Sequence, residues 1–375
     1  MRVIGTLKGD INKFAADKIK YGLMFKELEN VVELVSIHPT FLHGLSSLIN
    51  YAKTFTVNRK EWRERYYKNA FAFKERSKQA AHYLKTRQAD YDITFQVGAL
   101  YNARWNNQGN PSVIYTDYTS YLSRQRKTSG RSPMSDGEFE KWMELEQKAY
   151  ENSHYILTRS EYVRSSIINH YSIPPNKVKA IGGGVGFDIL PEPNTRSAGK
   201  TVNVLFIGQS FYRKGADILL EAWSQINHQF PHAKLKMVTQ LPDNWNEKIA
   251  NVEFVDSKWD RAVIEQLYKE ADIFVLPSRL ETWGDVLLEA MAHGIPCIGV
   301  SGEAMGEIVV HEQTGLIVPP ERPDMLAKAL QKLVTSSDLR HAYGQAGRER
   351  LKKHFTWDVV MGQVAAVLET IPISS

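Results

Sequence analysis

The chain has little of what marks secreted, membrane-spanning or fibrous proteins. Its 375 residues include a single cysteine, Cys297. That excludes an internal disulfide framework and fits a reducing compartment. No apolar run approaches the roughly 18 residues of a membrane-spanning helix. The opening MRVIGTLKGDINKF has no long apolar stretch, so no secretory signal is expected. Internal repeats, low-complexity tracts and nucleic-acid-binding motifs are all missing. What is present is an ordinary globular composition, 43% hydrophobic and 24% charged. It is too apolar for disorder, and the chain is too long for one ordinary core, so two domains are expected.

The formal net charge of +5 is unevenly spread. Residues 1–190 hold 28 Lys+Arg against 19 Asp+Glu, and the remainder holds 19 against 23. Much of the excess lies in 53–87, with 11 basic and 3 acidic residues among Phe55, Trp62, Tyr66, Tyr67, Phe71, Phe73 and Tyr83. Two readings stay open: a solvated helix face with aromatics packed on the core, or a surface for an anionic or lipid-linked acceptor. The expected location is the cytoplasm, peripheral at the inner face of the membrane on the second reading.

Short apolar runs alternate with helical periodicity, the pattern of βα units on parallel sheets. In the first half RVIGT, VVELVSI, DITFQVG, SVIYTD, HYILTRS and VKAIG read as strands, and 13–28, 60–86, 136–151 and 161–171 as helices. The Gly- and Pro-rich stretch 182–200 reads as a linker. The alternation then restarts with VNVLFIG, AKLKMVT, VEFVD, DIFVLPS, IPCIGV and GLIVPP, with helices from Gly215, near 261–270 and at 285–293, and three closing helices at 323–335, 338–354 and 357–370. The fold class is α/β: two Rossmann-like domains facing each other across a cleft lined by strand C-termini, where such folds bind ligands.

The helix after SRLETWGD is apolar on nearly every side yet carries Glu289. A buried carboxylate needs a dedicated partner. Glu281 precedes it by eight residues, and the helix start between them is a natural anion site. A ligand with a phosphate at the helix start and sugar hydroxyls beside it would engage both carboxylates. Equally, Glu281 could cap the helix and Glu289 could pair with a buried Arg or Lys. A second constellation, FIGQSFYRKGADILLEAW at 206–223, ends a strand at Gly208 and opens a helix with Arg213 and Lys214, two cations suited to a diphosphate.

Together with GEIVVHEQTGLIVPPERPDMLAKAL, these words resemble the retaining GT-B glycosyltransferases of family 4, in the family's order over about 200–335. The resemblance implies that residues 1–190 bind the acceptor, with a C-terminal helix at about 356–375 packing back on them. It implies that 191–355 bind a nucleoside-diphosphate-sugar, a UDP-sugar or GDP-sugar. Lys214 and Arg213 would neutralise the leaving diphosphate. Backbone N–H groups at Gly284, Asp285, Val286 and Leu287, with Gly208, would bind the same phosphates. Glu289 would hold the ribose, and Glu281 would contact the transferred sugar. No metal or cofactor is implied; the acceptor is a glycan, a lipid-linked molecule or a small hydroxyl compound, and nucleic acid is not a partner.

The sequence departs from the family at several positions. Gln209 stands where Arg usually follows the glycine, and Arg213 would supply that charge. Asp117 follows PSVIYTD where His is usual, and would contact acceptor or sugar. Asp285 would cap its helix. In the first loop, GTLKGDINKF, Gly9 is the candidate for approach to the donor. The base is expected to be read by backbone groups near Val255–Lys258. ADYD at 89–92 reads as a strand start rather than a metal pair, His38 and His43 as structural or acceptor-facing, and Cys297 as inert packing. The alternatives are a non-catalytic partner subunit and a sugar-nucleotide epimerase on the same fold.

Overall fold

A computed structural model describes residues 1–9, 15–107, 109–125, 134–194, 201–243, 245–256 and 258–373, with the side chains of 15–20 and 60 outside that description. The chain divides into two compact units, Met1–Gly184 with Trp357–Ser375, and Val185–Thr356. The 10–14 part of the first loop and the 195–200 part of the expected linker lie outside the described residues.

In chain order the first unit runs β1 (Arg2–Lys8), α1 (Ala15–Glu29), β2 (Glu33–Thr40), α2 (Gly44–Thr54), α3 (Arg59–Tyr67), α4 (Ala70–Thr86), β3 (Ile93–Val97), β4 (Ser112–Thr116), α5 (Ser120–Gln125), α6 (Asp136–Asn152), β5 (Tyr155–Thr158), α7 (Glu161–Tyr171) and β6 (Val178–Ala180). The second runs β7 (Val202–Ser210), α8 (Ala216–Ile226), β8 (Ala233–Gln240), β9 (Val252–Phe254), α9 (Arg261–Glu270), β10 (Ile273–Val275), α10 (Asp285–Ala292), β11 (Cys297–Val300), α11 (Met305–Ile308), β12 (Gly315–Val318), α12 (Pro323–Thr335) and α13 (Ser337–His354). Then α14 (Trp357–Leu368) belongs to the first unit.

Each unit is a six-stranded parallel sheet, ordered β2-β1-β3-β4-β5-β6 in the first and β12-β11-β10-β7-β8-β9 in the second. Their central strands are buried along their whole length, as β3 and β4 are, because helices cover both faces. That is why they read as continuous apolar runs. Helix starts follow local capping chemistry. The Ser160 hydroxyl accepts the Val163 N–H at 3.2 Å at the start of α7, and Asp260 Oδ1 accepts the Ala262 N–H at 2.8 Å at the start of α9.

The expected helix at 60–86 is two helices. Asn69 interrupts it by taking the N-cap position of α4, where its side chain accepts the Ala72 N–H at 2.8 Å. The aromatics of 53–87 divide accordingly. Phe73 is buried, Tyr83 stacks on His38 at 3.7 Å, and Trp62 meets Tyr51 at 5.1 Å and Tyr66 at 5.7 Å. Helices α2, α5 and α11 were not among the sequence expectations. In ADYD, Asp92 opens a strand: it accepts the Arg2 N–H at 2.7 Å and the Arg2 guanidinium at 3.0 Å.

Helix α14 buries Trp357, Val360, Met361, Val364 and Leu368 against Val3, Leu7, Phe25 and Phe95. Gly184 is required there: a Cβ on it would lie 2.4 Å from the Trp357 indole.

The first unit also encloses Glu146, which accepts from the Tyr171 hydroxyl at 2.5 Å, the Tyr150 hydroxyl at 3.2 Å and the Ser120 N–H at 3.3 Å. Burial raises its carboxyl above the ordinary range, against the pull of those donors. Between the unfolded and the raised folded value, the folded state keeps a proton that the unfolded state has released. Stability therefore falls as pH rises through that window. The Tm of Glu146→Gln should gain on that of the wild type as pH rises from about 4 to about 7. Parallel Tm curves would contradict this.

Candidate functional site

In the second unit β7 lies between β10 and β8, so successive connections run outward in opposite directions from the β7–β10 boundary. Such a switch point leaves a crevice beyond the strand C-termini. The register Ile273↔Val204 and Phe274↔Leu205 brings the loop after β7 beside the loop after β10. Backbone contacts join them. The Arg279 N–H donates to the Arg213 carbonyl at 2.9 Å, and Arg213 Nη1 donates to the Leu280 carbonyl at 3.1 Å. Gly215, with φ +74°, permits the approach; a Cβ there would stand 2.0 Å from the Pro277 carbonyl oxygen.

Arg279 holds the outer side of this junction. Its guanidinium binds both Asp217 oxygens at 2.7 and 2.9 Å, both Glu321 oxygens at 2.6 and 3.0 Å, and the Tyr212 carbonyl at 2.6 Å. The Asp217 carboxylate, chiefly, raises its pKa further above an already high value. Nothing in the sequence reading singled out Arg279, whose partners lie 42 to 67 positions away.

Inside the junction Lys214 Nζ donates to Glu281 Oε2, with both side chains largely withdrawn from solvent. Gly208 makes room for the lysine, since a Cβ there would lie 2.7 Å from Lys214 Cβ. The Glu281 N–H donates to Glu303 Oε2 at 2.5 Å, so a third loop, after β11, fixes the carboxylate's backbone. Glu303 too was missed; only the adjacency of β11 to β10 brings it there.

Helix α10 starts from Gly284, whose φ of +110° suits glycine. Gly284, not Asp285, is therefore the N-cap; Asp285 is the first helical residue and half-buried. The Leu287 N–H is already used by the Gly284 carbonyl at 2.8 Å. Within the helix, Glu289 has a protein partner: Arg261 Nη1, at 2.9 Å. Burial raises the Glu289 carboxyl above its ordinary range, and Arg261 partly opposes the shift.

Arg213, Lys214, Gly208 and Glu281 thus come together, with Gly284, Asp285 and Val286 at the neighbouring helix start, while Gln209 is exposed. Near the expected base-reading segment, the Val255 N–H donates to the Met237 carbonyl at 2.9 Å and the Lys258 N–H to Asp256 Oδ1 at 3.1 Å; position 257 is outside the described residues. Cys297 is buried, which pushes its thiol far above the usual range and makes it unreactive.

In the first unit, Gly9 directly follows β1 with φ +88°, beside the β1–β3 switch point, and its N–H donates to the Thr40 carbonyl at 3.1 Å. Asp117 follows β4 at the same edge and is half-buried. His38 is held below its ordinary pKa by burial first and Arg87 second, and His43 packs against Phe41 at 4.1 Å.

Residues 192–350, all within the second unit, match the family model described as Glycosyl transferases group 1. The chain is 27% identical over 234 residues to an uncharacterised glycosyltransferase of Methanocaldococcus jannaschii; the match spans 56% of this chain and 59% of that relative's length. Among solved structures it resembles sucrose-phosphate synthase from Thermosynechococcus elongatus, with a TM-score of 0.70 at 18% identity over 98% of both chains. It also resembles Anabaena Alr3699/HepE in complex with UDP, with a TM-score of 0.67 at 16% identity over 99% of this chain and 100% of that one. These likenesses establish the GT-B fold expected from the sequence.

The closeness of the two loops is directly testable. Gly215→Ala would place a methyl group on a backbone oxygen in a left-handed conformation. It should cost at least about 2 kcal/mol in denaturant unfolding. An unchanged midpoint would mean that the loops do not meet as described.

Proposed function

We propose that this chain is a retaining glycosyltransferase that moves a sugar from a UDP-sugar or GDP-sugar to a hydroxyl acceptor. One observation carries the reading: the enclosed Lys214–Glu281 pair at the β7–β10 switch point, beside the start of α10. The group 1 match over the same unit supports it. So does the fold shared with a solved structure that holds UDP, and uridine is accordingly the first base to test.

In this reading the donor lies on the second unit and the acceptor on the first. Lys214 uses one ammonium proton for Glu281, and its other two are available to the diphosphate. Arg213, anchored on the Leu280 carbonyl, adds a second positive charge at the same loop in place of the arginine absent at Gln209. The N–H groups of Asp285 and Val286 complete the phosphate site. Glu281 contacts the transferred sugar, and Glu289, oriented by Arg261, accepts a ribose hydroxyl. On the first unit, Gly9 leaves the strand edge beside the acceptor without a side chain, and Asp117 contacts an acceptor hydroxyl.

The transfer follows a front-face course. The bond from the anomeric carbon to the phosphate oxygen breaks, and the acceptor oxygen bonds to that carbon from the same side. The departing phosphate oxygen takes the acceptor proton. The extra negative charge on the leaving diphosphate is what Lys214, Arg213 and the α10 start stabilise, so the chemistry does not call for a metal.

Lys214 has two roles that one substitution confounds, because removing it leaves Glu281 enclosed and unpaired, at a cost of about 3–5 kcal/mol. Lys214→Met should therefore lose both stability and turnover. The double variant Lys214→Met/Glu281→Gln should recover much of the stability while sugar release from UDP- and GDP-sugars stays at least about a hundredfold down. Recovery of turnover in the double variant would refute the phosphate role of Lys214. Wild-type nucleotide binding without release, restored by a second protein, would instead identify a partner subunit.

The ribose role of Glu289 has its own signature. A hydroxyl donor favours the ionised carboxylate, whereas burial favours the protonated one. Nucleotide affinity should therefore fall as pH drops from about 7 to about 5, and the fall should be weaker in Glu289→Gln. Identical pH profiles in titration calorimetry would remove Glu289 from the ribose site.

A further inference from the structure

Helix α2 is built inside out. The side chains it turns into the unit are polar: Asn50 and Thr54 are its buried residues. Asn50 Nδ2 donates to the Tyr66 carbonyl at 2.9 Å, and Asn50 Oδ1 accepts from Asn69 Nδ2 at 2.9 Å. The Thr54 hydroxyl donates to the Asn50 carbonyl at 2.8 Å, and the Ser47 and Tyr66 hydroxyls meet at 2.7 Å. These bonds fix the helix's rotation, and the apolar side chains are left outside. Leu45 and Leu48 are 73% and 68% exposed, and Phe55 and Val57, just past the helix, are 60% and 95% exposed. Positions 45, 48, 52 and 55 follow the helical spacing of a single face.

An exposed apolar stripe held in place by buried hydrogen bonds is a surface built to be covered. The charge around it selects the cover. Residues 41–59 contain no Asp or Glu. Lys53 and Arg59 are exposed along its rim, and α3 beyond it is exposed at Arg63 and carries Glu61, paired with Arg65 at 2.6 Å, and Glu64, leaving the rim net basic. A second copy of the chain docked on the same patch would bring these cations against themselves, because a two-fold contact is self-complementary. An anionic bilayer meets both requirements: its acyl region takes the leucines and its headgroups take the cations.

We propose that the exposed face of α2, with Phe55 and Val57, docks the first unit onto an anionic lipid bilayer. This surface differs from the 53–87 segment as the sequence suggested it: the apolar contact lies mainly before that segment, whose aromatics after Phe55 are half-buried or, at Phe73, buried. Helix α2 follows β2, whose last residue Thr40 pairs with Lys8 at the strand C-termini. The docking face therefore grows from the sheet edge at which Gly9 follows β1. If the first unit receives the acceptor, as proposed above, that acceptor is presented from the membrane and is lipid-linked. That last step rests on the glycosyltransferase reading; the bilayer contact does not.

The test is co-sedimentation of the whole chain with phosphatidylglycerol/phosphatidylcholine vesicles and with pure phosphatidylcholine vesicles. Binding is expected to the anionic vesicles and to weaken with salt. Leu45→Ser/Leu48→Ser should weaken it by more than about tenfold. Lys53→Glu/Arg59→Glu/Arg63→Glu should weaken it comparably and flatten its salt dependence. These side chains are exposed, with Lys53 also lying over the Phe71 ring at 4.6 Å, so the variants should stay folded with near wild-type melting curves and keep nucleotide affinity, which separates loss of docking from loss of fold or donor site. No wild-type binding to anionic vesicles, or undiminished binding by the leucine variant, would overturn the proposal. So would a leucine-dependent dimer in sedimentation velocity without vesicle binding, which would assign the face to a second copy.

Discussion

The pairing of β10 with β7 is the constraint on which the second unit's chemistry depends. Two registered residue pairs in the middle of a parallel sheet bring together loops that are 67 positions apart in sequence, as the Lys214–Glu281 contact shows. Parallel strands end at the same edge, so their outgoing loops must share space there. Each further feature at the junction makes that sharing tighter. Gly215 and Gly208 lack the side chains that would hold the loops apart. Arg279 binds the outer side through two carboxylates and a carbonyl. Glu303 steadies the Glu281 backbone from the neighbouring strand's loop.

An enclosed ion pair is costly to assemble and gives little net stability compared with apolar packing. Its presence at a strand edge fits the role proposed for it above. A lysine held by a carboxylate is fixed in place before a ligand arrives, and in the proposed reading its remaining protons serve the leaving diphosphate. That is electrostatic preorganisation, in which the folded chain meets the cost of orientation in advance. Glu289 and Arg261 repeat the arrangement one element away, with burial favouring a neutral carboxyl and the guanidinium favouring the ion. The same opposition appears in the first unit at Glu146, where the Tyr171 and Tyr150 hydroxyls and the Ser120 N–H donate to the carboxyl and burial dominates.

The first unit shows how hydrogen bonding can override hydrophobic patterning. Asn50, bound to Tyr66 and Asn69, turns the apolar face of α2 outward. A reading of periodicity alone would place Leu45 and Leu48 in the core, yet the core beneath α2 is polar and aromatic. The break at Asn69 that splits α3 from α4 belongs to the same network, because one side chain both caps a helix and anchors Asn50.

The sequence by itself determined the alternation of strands and helices, the parallel α/β class, and the residues whose chemistry suits a diphosphate and a sugar. Those properties are local: strand burial, helix caps and loop composition are written in adjacent residues. Arg213, Lys214 and the eight-residue spacing of Glu281 and Glu289 could be noticed for that reason. Tertiary structure alone decided which residues meet. Arg279 and Glu303 were invisible because their partners are far along the chain. The partner of Glu289 stayed open until α9 was seen beside α10. The orientation of α2 was also beyond reach, because its periodicity defines an apolar face without saying which way that face turns. Contacts across sequence distance are set by strand order and side-chain hydrogen bonding, and neither leaves a mark in the local pattern of residues.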